Sequence, residues 1–183
     1  MTSQPPQSPS APQQQQQQQQ QPASLARRTP LPPLEPAERD RWLGRWSNEQ
    51  SQALGVRAVD VQRSYAHFIV EQPYGDERDD DPSYFLAALL YAADIAAVAA
   101  ANAGVDTSRQ QGNGTASLHM NFLASPQSPV DVEARVTHWG EYQALCEMSA
   151  RDRSGSMIAQ GLSAYSLRPR GDGPPIIPLE GPR

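Results

Sequence analysis

Asp94 stands out among the residues that could do chemistry. Between Asp81 and Asp106 it is the only ionisable side chain apart from Tyr84 and Tyr91, and helical spacing gives it Leu90, Ala97 and Val98 as neighbours. Apolar surroundings disfavour the charged form of a carboxylate and bring it toward the range of a general base. Such a group can take a proton from water or attack a carbonyl itself, so an isolated acid in an apolar run is a site candidate. The competing role is structural: an Asp tied to a loop, or solvated where a sheet opens. Other reactive types offer less. His67 and His138 fall on strands without metal-ligand spacing, so no metal is expected. The single Cys, Cys146, shares strand parity with Ala144 and Met148 and reads as a packed core thiol. Thr115 opens a strand, where its β-propensity alone would explain it. His119 and Asn121 share its parity, opposite Leu118 and Met120, and are expected on the surface or at a dimer contact.

The elements that must position these residues follow from periodicity. Glu38 to Leu54 carries Trp42, Leu43, Trp46 and Leu54 near helical spacing and stops at Gly55, predicting one helix. Val56 to Val61 and Ser64 to Val70 alternate about Gln62 and Arg63, predicting a hairpin. After a polar loop from Glu71 to Asp81, the Asp81-Pro82-Ser83 start leads into the most apolar helix of the chain, through Ala101. Val105 to Gly114 reads as a loop. Then the period becomes two: Thr115 to Leu123, Val130 to Trp139, Tyr142 to Ala150 and Ser156 to Leu167 predict a four-strand antiparallel meander. The fold class is α+β. A helix apolar nearly all round needs a sheet that wraps it.

Composition bounds the rest. The 183 residues carry a net charge of −5, which gives no electrostatic footprint for nucleic acid or an anionic membrane. One Cys allows no intramolecular disulfide and no thiolate zinc cage, and the cytoplasm is the expected compartment. Met1 leads into Pro, Ser and Gln, so no signal peptide is expected. Phe85 to Ala101 falls short of the roughly 18–20 residues of a membrane span and carries Asp94, so no span is expected. Residues 1–35, with unbroken Gln from Gln13 to Gln21, and 169–183 have the composition of disordered tails around a domain at 36–168. Arg27, Pro30 and Pro33 have the spacing of a polyproline II ligand, but Pro-rich linkers produce it often.

From about Leu54 to Leu167 the chain resembles the hotdog fold, and within it the acyl-CoA thioesterases of the phenylacetate-pathway, or PaaI-like, type. The strongest likeness is Thr115-Ala-Ser-Leu-His-Met-Asn-Phe-Leu123 before Pro126, similar to the family strand Thr-x-x-Leu-x-Val-x-Phe-Leu-x-Pro. Val132 to Gly140 and Asp152 to Gly161 are similar to the strands that follow, and Leu90-Tyr-Ala-Ala-Asp94 to the family's Leu-x-Asp segment. The resemblance implies an antiparallel sheet around one long central helix, and hydrolysis of an acyl-CoA or related thioester with Asp94 as base or nucleophile. It implies Thr115 near the substrate and no cofactor beyond the coenzyme A of the substrate itself. It also implies a homodimer, able to pair into a tetramer, with the acyl tunnel between protomers.

The departures are specific. The family's His-Gly-Gly at the helix entrance, where a backbone N–H polarises the thioester carbonyl, is replaced by Phe85, Leu86 and Ala87, whose amides are the expected oxyanion site. Gly140-Glu141 stands where a cation for the coenzyme A phosphates is usual, leaving Arg109, Arg135 and Arg151 as substitutes. No His follows Asp94 at five residues, where Ala99 stands, which disfavours a hydratase. The alternative to an enzyme is a non-catalytic hotdog domain that binds an acyl ligand or a protein partner.

Overall fold

In the computed structural model, which describes residues 32–71, 82–125 and 129–170, two short helices precede a hairpin, a long helix and four further strands. The Gln tract, the Arg27–Pro30 segment, most of the acidic loop, Pro126 and the end of the chain lie outside the described residues.

Helix α1, Pro36–Trp46, has Pro in its first turn, where its missing N–H leaves no bond unmade, and Glu38 near its N-terminus and Arg45 in its last turn, charges that suit the helix dipole. The single helix expected from Glu38 to Leu54 is in fact two. Asn48 accepts a hydrogen bond from the Ser51 amide at 2.9 Å and starts α2, Glu49–Ala53, which ends at Gly55 with φ of 66°. Upstream of the first helix, Leu34 is buried and its amide donates to Gln62 Oε1.

Strands β1, Val56–Gln62, and β2, Tyr65–Val70, form the hairpin, turning at Arg63 and Ser64 rather than at Gln62 and Arg63. Ser64 takes a φ of 69°, which a serine holds here because its amide donates to Ala100 O and its hydroxyl accepts from Trp139 Nε1. Helix α3, Pro82–Gly104, runs 23 residues. By length and composition its 21-residue stretch Tyr84–Gly104 could cross a membrane, which corrects the shorter span read from the sequence, yet 61% of its most apolar window is buried inside the protein. It is the core helix. Ala92, Ala93, Ala96, Ala97, Ala99 and Ala100 are all buried, and Ala134, Ala144 and Ala150 line the sheet facing them. Small residues on both sides let the curved sheet approach closely.

Strands β3 (Gln110–Phe122), β4 (Val130–Trp139), β5 (Gln143–Asp152) and β6 (Met157–Pro169) complete one six-stranded antiparallel sheet, in the order β1-β2-β4-β5-β6-β3. The four-strand meander is therefore corrected to three strands, β4-β5-β6. β3 does not adjoin β4 but crosses over to pair with β6, while β4 pairs with β2 from Val130↔Val70 to Arg135↔Tyr65. A connection broken by prolines need not close a hairpin, and here it carries the chain past two strands. β3 also starts five residues earlier than expected, inside the predicted loop, and stands at a free edge of the sheet.

Candidate functional site

Asp94 is half-buried on a helix whose neighbours Ala92, Ala93 and Ile95 are buried. One turn toward the N-terminus, Leu90 is 41% exposed, and Ala87 is exposed as well. Ala87, Leu90 and Asp94 thus form a stripe that this chain's sheet leaves uncovered, whereas the C-terminal half of α3 is buried on all sides. The adjacent stripe is covered: Tyr84 donates to Ala53 O at 2.6 Å and the Tyr91 hydroxyl lies 3.2 Å from that of Ser51, tying α2 to the central helix.

Thr115 Oγ1 donates to Asp94 Oδ1 at 2.7 Å, so the structure brings together two residues singled out in the sequence. Asp94 makes no ion pair among the described residues. Strand alternation had set Thr115 opposite Leu118, and the ladder shows why that fails. Gly112 pairs with Leu167, Thr115 with Tyr165, and Ser117 with Ala164, so β3 carries an extra residue on each side of Thr115. The two bulges turn Thr115 onto the helix-facing side with Tyr165, then restore Leu118 and Met120 to that side beyond it. His119 and Asn121 are exposed on the other face.

Phe85 and Leu86 are half-buried. In a helix that begins at Pro82, the amides of Leu86 and Ala87 are directed to the carbonyls of residues 82 and 83. By ideal helix geometry these amides fall within the helical ladder, one turn in from the start of α3. Arg135 and Arg151 project from the face of the sheet away from α3, Arg135 with its guanidinium 4.3 Å from the Tyr65 ring centre and Arg151 bonded to Gly155 O. Arg109 is exposed before β3. Cys146 is fully buried, 3.7 Å from Ala97 O, and burial pushes its thiol up to about 12, far from nucleophile range.

Sequence reasoning missed a second polar group in the core. Tyr165, fully buried, donates to Asn102 Oδ1 at 3.0 Å, and Asn102 in turn donates to Val98 O. An Asn in an otherwise apolar helix, with Gly112 and Gly114 in the following strand, was the available signal. A depression of about 380 Å³ lies on the opposite face of the sheet, lined by Asn121, Glu133, Arg135, Glu147, Gln160 and Leu162 among others. It includes neither Asp94 nor Thr115. Among the described residues no three His, Cys, Asp or Glu side chains converge as a metal site would require.

No family model and no curated protein matches the sequence. Solved structures do. A mutant thioesterase from Pseudomonas aeruginosa aligns over 80% of this chain and 99% of its own, with a TM-score of 0.61 and 19% identity. A thioesterase from Haemophilus influenzae aligns over 73% of this chain and 92% of its own, with a TM-score of 0.56 and 11% identity. A mutant thioesterase from Staphylococcus aureus gives a TM-score of 0.51 at 12% identity, over 67% of this chain and all of its own. The chain has the hotdog fold. Its hotdog sheet wraps α3 as the apolar helix required, and at such identities the likeness extends to the backbone, leaving the chemistry to be argued from the site.

Proposed function

We propose that this hotdog protein hydrolyses acyl thioesters, with acyl-CoA as the substrate class, in the cytoplasm. The observation that carries the proposal is the Thr115–Asp94 hydrogen bond on the uncovered stripe of α3. One carboxylate oxygen is held by the Thr115 hydroxyl, which orients the group and leaves the other oxygen for a water molecule or the thioester carbon. Asp94 as general base takes a proton from water as the oxygen attacks the carbonyl. The C–S bond breaks, the thiol leaves with a proton, and the carboxylic acid is released. As a nucleophile Asp94 would form an anhydride that water then opens. Phe85, Leu86 and Ala87 line the approach from the start of α3, whose dipole favours negative charge developing there. The thioesterase names of the structural relatives support the same reaction class.

The working unit in this proposal is a homodimer. β3 is an edge strand whose outer residues carry no charge apart from the titratable His119, and unpaired edges of this kind invite pairing. Pairing of two β3 edges would set the Ala87-Leu90-Asp94 stripe against the second protomer and enclose an acyl chain between them. The test is thiol release over short, medium, long-chain and aryl acyl-CoAs. Silence on every substrate rejects the enzyme.

A second role rests on its own observation. With the Leu86 and Ala87 amides inside the helical ladder and no glycine at the approach, the oxyanion donors of a thioesterase are weakly provided. A hotdog domain that binds an acyl ligand or a protein partner without turnover fits that feature. Thermal stabilisation by acyl-CoA without thiol release would favour it.

A further inference from the structure

We propose that Arg109, Arg168 and Arg170 form a binding subsite for a phosphate ester or diphosphate at the end of the β3–β6 ladder. The ladder pairs Gln111 with Arg168 and Gln110 with Pro169, and the Arg170 amide then donates to Arg109 O at 3.0 Å. Three guanidiniums therefore leave the backbone within two residues of one another on adjacent strands. The chain has 20 Asp and Glu residues, yet among the described residues no carboxylate makes an ion pair with these three arginines. Arg39, Arg57, Arg63 and Arg135 each have such a partner. Two carboxylates stand at this end of the sheet. Asp106 Oδ1 accepts from the Ser108 amide and hydroxyl, at 3.1 and 2.6 Å, and Glu141 is exposed, its carbonyl accepting from Gln110 Nε2.

Arg168 is the centre of the subsite. Its Nε and Nη2 are buried without a hydrogen-bond partner, so the group lacks the bonds that offset its desolvation. The residue as a whole is half-buried, and rotation of its flexible side chain brings that edge to the surface. Its planar fork then fits two oxygens of one phosphate. Arg109 and Arg170 are exposed and add charge for the remaining oxygens, Arg170 being fixed by Nη1 donation to the Thr107 carbonyl. A single carboxylate would leave two of the three cations unmet, whereas a phosphate dianion or diphosphate meets them.

The link from this subsite to Asp94 rests on the hydrolase proposal. Gly112 of β3 lies at the level of Asn102, and Thr115 at the level of Asp94, so α3 runs antiparallel to β3. Phe85 to Ala87 therefore lie toward the C-terminal end of that strand. Two β3 edges related by a twofold axis must pair antiparallel. The arginine end of one protomer then lies toward the helix entrance of the other, where a thioester would approach Asp94. The phosphate has two sources: the nucleotide end of a coenzyme A thioester, or a free phosphate compound.

The test is calorimetric titration of the full chain, in phosphate-free buffer, with coenzyme A, pantetheine and inorganic pyrophosphate. Wild type is compared with Arg168→Gln/Arg170→Gln and with the charge-matched Arg41→Gln/Arg153→Gln, whose positions are exposed elsewhere. Coenzyme A should bind wild type and the Arg41→Gln/Arg153→Gln protein alike, and the Arg168→Gln/Arg170→Gln protein at least about 10-fold more weakly. Pantetheine, which has no phosphate, should not distinguish the three. Coenzyme A at least about 10-fold tighter than pyrophosphate assigns the nucleotide end as the source, and equal affinities assign a free phosphate compound. Where an acyl-CoA is turned over, Arg168→Gln/Arg170→Gln should raise KM about 10-fold with kcat within about twofold, and leave the matching acyl-pantetheine thioester unchanged. If the double variant does not fold, Arg170→Gln alone, at an exposed position, should weaken coenzyme A or pyrophosphate at least about threefold. Failure of both phosphate probes to bind wild type overturns the subsite, and so does an equal loss in the two double variants. Phosphate binding without turnover in wild type rejects the hydrolase and leaves the subsite standing. Turnover with the same KM for acyl-CoA and acyl-pantetheine rejects the subsite and leaves the hydrolase.

Discussion

Thr115 faces Asp94 because β3 carries one extra residue before it and one after it. Without the first bulge the Thr115 side chain would leave the sheet on the solvent side, and without the second the apolar residues Leu118 and Met120 would turn out in its place. The 2.7 Å bond between the two side chains is thus a product of strand irregularity, in a segment whose remaining residues follow strict alternation.

Asp94→Asn should abolish thioester turnover by about 10²-fold or more, since the amide cannot accept the proton of an attacking water. The fold should survive. The Asn carbonyl can still accept the Thr115 hydroxyl, so stability should change by no more than about 1 kcal/mol. Thiol release and thermal unfolding of the same preparation check both halves. Equal rates for variant and wild type would remove Asp94 from the chemistry.

Alkaline pH should weaken the fold through Cys146. The native thiol is held up to about 12 by burial, against 9.0 in its ordinary state. Above pH 9 the unfolded chain loses this proton while the native state keeps it, so the stabilisation is complete below pH 9 and is lost progressively up to pH 12. Tyr65, pushed up to about 12 chiefly by burial and then by its bond to Glu133, adds a contribution of the same sign from pH 10. Urea midpoints measured from pH 8 to pH 11 should fall, and Cys146→Ala should flatten part of the slope. Thiol reagents at pH 8 should leave the native protein unmodified.

Gly161 and Gly44 should respond to alanine in opposite directions. A Cβ on Gly161 would lie 2.1 Å from the His119 carbonyl oxygen and 2.7 Å from Met120 Sδ, where β6 meets the edge strand. Because the first of these is backbone, the strands must separate, at a cost of about 1–3 kcal/mol. Gly44 lies within α1 with nothing in the way, so alanine there should stabilise by about 0.5–1 kcal/mol through helix propensity. Chemical denaturation of the two variants beside wild type measures both signs.

Much of the fold was legible because it depends on local pattern. The apolar run around Asp94 demanded a wrapping sheet, and the limits of Val130–Trp139 follow from alternation alone. What alternation could not show were the features that depend on distant partners. The break between α1 and α2 turns on the Asn48 cap, whose neighbours looked helical throughout. The place of β3 depends on Val130 finding Val70, a pairing between strands far apart in sequence. For the site, Asp94 and Thr115 were visible as residue types. Their contact was not, since a bulge reverses the face that period two assigns, and Tyr165 was hidden among ordinary core aromatics.

Leu90→Glu should convert a dimer into monomers. Leu90 is 41% exposed on the stripe that leads to Asp94, and on β3 and just beyond it Phe122 is 42% and Leu123 54% exposed. Apolar side chains of this size, close to an unpaired strand edge without proline, give the core of an interface its usual composition. A stable homodimer would need to bury about 1,200–2,000 Å² in total, which a paired edge strand plus a helix stripe can supply. Light scattering on the full chain at micromolar concentration should return twice the 20.0 kDa chain mass for wild type. A carboxylate at position 90 would be forced against the partner without a counter-charge, so the variant should scatter as a single chain and lose turnover together with the interface. A monomeric wild type, or a Leu90→Glu protein that remains dimeric, would count against β3 pairing and against an active site shared by two protomers.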